Sequence, residues 1–279
     1  MTISTARSLL VQAGARLSRR ERAFVLGGLG GLSGIAWGKL VILAGKAQAV
    51  TGVAGAMSGL VVLSGPGVVA PTELAAPHLL TMIETCAVAL VAVMLPTATP
   101  LVLGAAALCK QRWPREEVLP RVMAFVAGHV LVWLMLALTY GLLAWELESL
   151  RPEIAARETL GPILGGAVLV LAGLYQFTPI KQACLAICQA PGPVLIGWRG
   201  PRLVDALRAG LLLGRISLKS DWALALLLFV GGLGNPVWIA ALAFFAITEK
   251  LFSPEGDFGR WAGLMMALGG MAVLFGTTF

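Results

Sequence analysis

Charge is what this sequence lacks most. Only 13% of its 279 residues are Asp, Glu, Lys or Arg, while 58% are hydrophobic, and the mean hydropathy is +0.87. A soluble domain of this size needs more charge to cover its surface, so a soluble globular class is excluded. Histidine is almost missing: His78 and His129 are the two present. A three-histidine metal site therefore cannot be built, and no helix carries paired histidines for a haem. The four cysteines, Cys86, Cys109, Cys184 and Cys188, do not form the pattern of a disulfide framework. There is no Walker loop, no Gly-x-Ser-x-Gly elbow and no pair of carboxylates inside an apolar run, so the sequence reads as a non-enzyme. Matched broken helices in inverted repeats are absent too, which leaves a secondary-transporter reading with little support.

What is present is a series of long apolar segments. They predict an all-α, polytopic transmembrane bundle of about six spans, at 23–45, 79–107, 122–146, 160–178, 221–247 and 260–277. Residues 1–22, with Arg7, Arg16, Arg19, Arg20 and Arg22, read as a basic tail lying on anionic lipid. Residues 23–279 read as one membrane domain, and the first span as retained rather than cleaved. The stretch 46–78 has almost no charge and is broken by "SGPGVVAP", a loop signal. The net charge of +7 is concentrated in the tail and in the segments 108–121 and 179–219. Positive residues mark the cytoplasmic side, so both termini are expected inside. The basic character is thus a matter of topology, and nucleic acid is not an expected partner.

The stretch "GLLLGRISLKSDWALALLLFV", Gly210–Val230, puts Arg215, Ser217, Lys219, Ser220 and Asp221 before an apolar run. It reads as a capped helix start with positive charge on the inner side. In the first span Gly30, Gly34 and Gly38 recur every four residues and line one helical face. Such a face suits close backbone packing, either inside the chain's own bundle or against a partner subunit. Lys39 reads as a snorkelling anchor, and Glu84 as a hydrated carboxylate near the outer boundary. Pro96 and Pro100 remove two backbone donors and should kink the second span. His129 stands alone in the third span. Cys184 and Cys188 share one face if "KQACLAIC" is helical, and two thiolates there suit a soft metal without completing a site.

The C-terminal half resembles a bacterial family of predicted metal-binding integral membrane proteins. The matching stretches are "AGLYQFTPIKQACLAICQAPGPVLIGWRG", "LLFVGGLGNPVWIAALAFFAITEKL" and "RWAGL", with "AVMLPTATP" and "MAFVAGHVLVW" fitting earlier spans. Members of that family carry a His-Gly, then a Cys, then Cys-Cys-Trp before the fifth span. Gly214 and Trp222 keep that frame here, while Leu213, Ser217, Ser220 and Asp221 hold the ligand places. The family's double Met is reduced to Val93-Met94. The resemblance therefore implies a scaffold without its metal ligands. The expected function is a non-catalytic accessory or assembly subunit of a larger protein complex in a bacterial inner membrane. Its partners would be other membrane subunits and lipids, Gly30, Gly34 and Gly38 its contact face, and it would carry no cofactor and no resident metal. The rival is a copper-type metal-handling protein using Cys184, Cys188, Met94 and His129. A membrane enzyme built on Glu84 or Asp221 lacks a second catalytic partner.

Overall fold

The computed structural model describes residues 18–51, 76–149, 160–198, 200–232, 235–252 and 257–276. Every element among the described residues is helical. The chain runs through α1 (Arg19–Thr51), α2 (Ala76–Thr97), α3 (Thr99–Arg112), α4 (Arg115–Ser149) and α5 (Leu160–Tyr175). It continues through α6 (Pro179–Gln189), α7 (Gly192–Gly197), α8 (Leu203–Gly231), α9 (Pro236–Phe252) and α10 (Asp257–Gly276). Four stretches are long and apolar enough to cross a membrane: Arg19–Leu43, Leu79–Thr97, Glu116–Glu146 and Phe258–Gly276. A fifth candidate is the pair Ile163–Tyr175 and Pro179–Gln189, bent by 66°. The helix α8 carries Arg215, Lys219 and Asp221 within its length, and α9 has 17 residues, so neither belongs to that set.

Local chemistry sets the helix ends. Ser18 and Glu21 cap α1 reciprocally: the Glu21 amide donates to Ser18 Oγ at 3.2 Å, and the Ser18 amide to Glu21 Oε2 at 2.8 Å. The expected second span divides at Ala98, between Pro96 at the end of α2 and Pro100 at the start of α3. Thr178 caps α6 by accepting from the Lys181 amide at 3.4 Å, and Pro179 opens that helix.

The expected span 221–247 is not one helix. The helix α8 starts at Leu203, well before Asp221, and ends at Gly232, whose φ of 86° suits glycine. Asn235 then caps α9, its Oδ1 accepting from the amides of Val237 at 3.1 Å and Trp238 at 3.2 Å. The apolar pattern continues on both sides of "GGLGNP", which hid a turn written in Gly, Asn and Pro. The polar step is therefore helix interior rather than helix start.

Contacts fix the helix directions. In α1 and α2, Ser33 Oγ donates to the Ala92 carbonyl at 3.5 Å and Lys39 pairs with Glu84, an antiparallel register. Gly141 of α4 packs on Ile83 near the start of α2, and only two residues separate α3 from α4. Helices α4 and α8 run parallel, Gly210 lying against the Phe125 carbonyl and Gly214 against Val132. Helix α9 returns antiparallel to α8, Trp238 Nε1 donating to the Leu227 carbonyl at 2.7 Å. Helix α10 is antiparallel to α5, Gly270 facing Gly166 and Gly263 facing Gly173. Helix α5 brings its last residue, Tyr175, to Lys219 and packs Val168 and Leu169 on the cluster of Leu227 and Val230, so it runs against α8; α1, α4, α8 and α10 therefore point one way, and α2, α5 and α9 the other. The start of α1 and the end of α10 lie at opposite ends of the bundle, whereas six spans would bring them to the same end.

The core divides into two clusters. One gathers Cys86, Leu90, Trp133, Leu228 and Ile239 from α2, α4, α8 and α9. The other gathers Leu101, Phe125, Trp198 and Leu213. On α1 the buried face is Leu29, Ser33, Ala36 and Leu40. Gly30, Gly34 and Gly38 are exposed, and a Cβ at any of them would meet nothing within 4 Å. Packing of that strip inside the chain's own described bundle is thereby ruled out.

Candidate functional site

Polar residues converge where α2, α6, α8 and α9 meet. On α8, Leu213, Ser217, Ser220 and Asp221 are all buried. Their spacing of four, three and one residues puts them on a single helical face. Arg215 and Lys219, on the other faces, are exposed. Close approach to α4 places this face: a Cβ at Gly210 would collide with the Phe125 carbonyl, and one at Gly128 with the Leu207 carbonyl. Two tyrosines hold α8 from outside, Tyr175 donating to the Lys219 carbonyl at 2.5 Å and Tyr140 to the Trp222 carbonyl at 3.0 Å.

Four buried charges occupy the site. Lys250 of α9 pairs with Asp221 of α8 and also donates to Thr97 Oγ1 at 3.2 Å and Ser217 Oγ at 3.4 Å. Its neighbour Glu249 pairs with Lys181 of α6 at 2.9 Å. Relative exposures are 0% for Asp221 and Glu249, 1% for Lys181 and 4% for Lys250. A lone charge in such a place would be very costly; two ion pairs sum to zero charge and satisfy one another. Gln189 Nε2 donates to the Glu249 carbonyl at 3.0 Å, and Gln182 Nε2 to the Gln176 carbonyl at 2.8 Å, which ties α6 into the same junction. Asp221 Oδ1, Ser220 Oγ, Glu249 Oε1 and Gln176 Oε1 remain buried without a hydrogen-bond partner.

The candidate metal ligands distribute unevenly around this cluster. Cys184 and Cys188 do lie on one helix, α6, one turn apart. Cys188 is buried, with its Sγ 3.5 Å from Ser217 Oγ, while Cys184 is partly exposed. Met94 is buried on α2 and touches the cluster through its carbonyl, which accepts from Thr97 Oγ1 at 2.8 Å. His129 is buried on α4, and its Nε2 accepts from Trp133 Nε1 at 3.3 Å, which leaves Nδ1 protonated and without a partner. Among the described residues, no three His, Cys, Asp or Glu side chains come together to hold a metal ion. All four cysteines are free thiols. Glu84 and Lys39 form an exposed ion pair at the far end of the bundle and take no part.

Sequence reading missed Lys181, Glu249, Lys250 and Thr97. The available signal was "AITEKL", two opposite charges carried side by side at the end of an apolar helix. Pairing partners lie 29 and 68 residues away in sequence, and no local pattern announces them.

Fold and site together define an all-helical, membrane-type protein with two soft thiols at the edge of a buried polar cluster, a metal-related class. Residues 85–273 match the PpoB2 family model, whose description is copper chaperone. That stretch is well over half of the chain, and the chain belongs to this family. No curated protein and no solved structure matches it.

Proposed function

We propose that this chain is a multi-pass inner-membrane copper carrier that takes Cu(I) as cargo on Cys184 and Cys188. The observation carrying this reading is the placement of those two thiols one turn apart, one partly exposed and one buried beside Ser217. Cu(I) is a soft ion that prefers thiolates, and two suffice to hold it in an exchangeable way. Each thiol gives up its proton as the metal binds. The partly exposed Cys184 is the one that a donor or acceptor protein can reach, so cargo enters and leaves through it. Membership of a copper-chaperone family supports the same reading.

The polar face of α8 is, in this reading, a ligand set that has been replaced. A leucine at 213 cannot bind metal, and the hydroxyls of Ser217 and Ser220 are poor ligands for a soft one. The Lys250 ammonium sits among Thr97, Ser217 and Asp221 as a tethered cation. Resident metal is not expected there. The basic end of the bundle, with Arg20, Lys110, Arg112 and the α6–α8 connection, faces the cytoplasm. The end of α10 then faces outward.

Titrating the purified protein with Cu(I) against a chromophoric Cu(I) chelator, without oxygen, tests the proposal. One Cu(I) per chain is expected, lost in Cys184→Ser and in Cys188→Ser and kept in Met94→Leu. A wild-type protein that takes no Cu(I) from the chelator overturns it.

One observation favours a second reading, an assembly subunit. The strip of Gly30, Gly34 and Gly38 is open along the outside of α1, where a helix of another subunit could approach closely.

A further inference from the structure

Between α1, α3 and α4 lies a cleft of about 440 Å³. Its walls are Phe24 and Val25 of α1 and Val118, Leu119 and Val122 of α4. Arg20, Glu21 and Lys110 close one end. The register orders them: Arg20 and Glu21 lie in the first turn of α1 and Lys110 in the last turn of α3, with the apolar residues deeper along each helix. Polar groups thus stand where the bundle meets water, and apolar ones where acyl chains run. Phe24 and Leu119 are largely exposed, so the cleft opens sideways toward surrounding lipid.

Among the lining residues the mouth carries two positive charges and one negative. Glu21 engages Lys110 at 2.7 Å, and Arg20 adds a further positive charge on the exposed surface. Beside them Arg121, paired with Glu117 at 2.6 Å, lies over the Trp113 ring, 4.9 Å from its centroid, and Trp113 packs on Trp198 at 5.4 Å. Tryptophan and arginine together mark the headgroup level of a bilayer. A basic-mouthed apolar cleft between helices at that level has the chemistry of a site for an anionic headgroup.

We propose that this cleft is a binding site for one anionic diacyl phospholipid of the bilayer. The acyl chain lies along Phe24, Val118 and Val122, and the headgroup phosphate meets Arg20. The proposal does not depend on copper.

Native mass spectrometry of the purified full chain, incubated with phosphatidylglycerol or with phosphatidylcholine, tests it. One retained phosphatidylglycerol per chain is expected, bound about fivefold better than phosphatidylcholine for the single extra arginine. Arg20→Gln, a change at an exposed helix end, should remove that preference while phosphatidylcholine binding stays. Val118→Phe, which fills the cleft with an apolar ring, should remove retention of both lipids. Equal retention of the two lipids by wild type overturns the headgroup assignment. Undiminished retention by a folded Val118→Phe overturns the cleft. Cu(I) uptake by Arg20→Gln should stay at the wild-type level, so the two proposals fail separately.

Discussion

Lys250 reaches from the last turn of α9 to Asp221 in the interior of α8, and both side chains are shut off from solvent. The residue before it, Glu249, does the same toward Lys181 of α6. One turn of α9 therefore holds two other helices by opposite charges.

Removing one partner should be far worse than removing both. Lys250→Met leaves Asp221 buried and uncompensated, a loss of about 3–5 kcal/mol. Adding Asp221→Asn to it should recover much of that loss. Thermal unfolding of the single and double variants in detergent would show this. Equal destabilisation in both would mean that the ion pair is not what holds these helices.

Two glycine substitutions should behave in opposite ways. Gly210→Leu pushes α8 off the Phe125 carbonyl and should lower stability by several kcal/mol, or prevent folding altogether. At Gly34 a Cβ meets nothing within 4 Å and the position faces outward, so Gly34→Leu should leave the chain's own stability unchanged. If Gly34→Leu nevertheless frees the chain from co-purifying proteins, the assembly reading gains its support. An unaltered set of co-purifying proteins would assign the strip to lipid.

The two thiols of α6 should differ in reactivity. Cys184, partly exposed, should react with a maleimide well before Cys188, which is buried against Ser217. Prior loading with Cu(I) should protect Cys184. Labelling at the same rate with and without Cu(I), followed by mass spectrometry, would count against copper on this pair.

Helix directions give a topology test. A cysteine placed at Pro201 should be shielded from impermeant reagent in intact cells, and one at Pro152 should be labelled. A reporter fused after Phe279 should report the side opposite to one fused before Met1. Reporters on the same side would refute the alternation of α8, α9 and α10.

The sequence made the all-helical class legible because long apolar runs survive any error in their ends. Three of the expected spans, 23–45, 122–146 and 260–277, coincide with helices long and apolar enough to cross a membrane, while 79–107 keeps only its first part, Leu79–Thr97. The division of 221–247 was not legible from hydropathy, since leucine and alanine lie on both sides of Gly232; only the Gly-Asn-Pro chemistry records the turn. That one turn inverts every direction after it. For the site, the helical spacing of Cys184 and Cys188 was readable, and so was the oddity of Ser217, Ser220 and Asp221 beside an apolar run. Their partners were not, because Lys250 and Thr97 arrive from helices whose approach depends on tertiary packing. His129 was readable as a lone polar residue, and the Trp133 indole one turn away accounts for one of its nitrogens.

The turn at Gly232 also bears on how the chain enters a bilayer. Asp221 and Lys250 stand on the two arms of one hairpin. An acid such as Asp221 at the centre of an inserting helix costs about 2.5–3.5 kcal/mol. Because the arms are joined by only the few residues 232–235, the two charges can neutralise each other as the arms leave the translocon together. A ribosome stalled before Lys250 would hold an α8 whose acid has no counter-ion, so α8 alone would enter a bilayer less readily than α8 and α9 together.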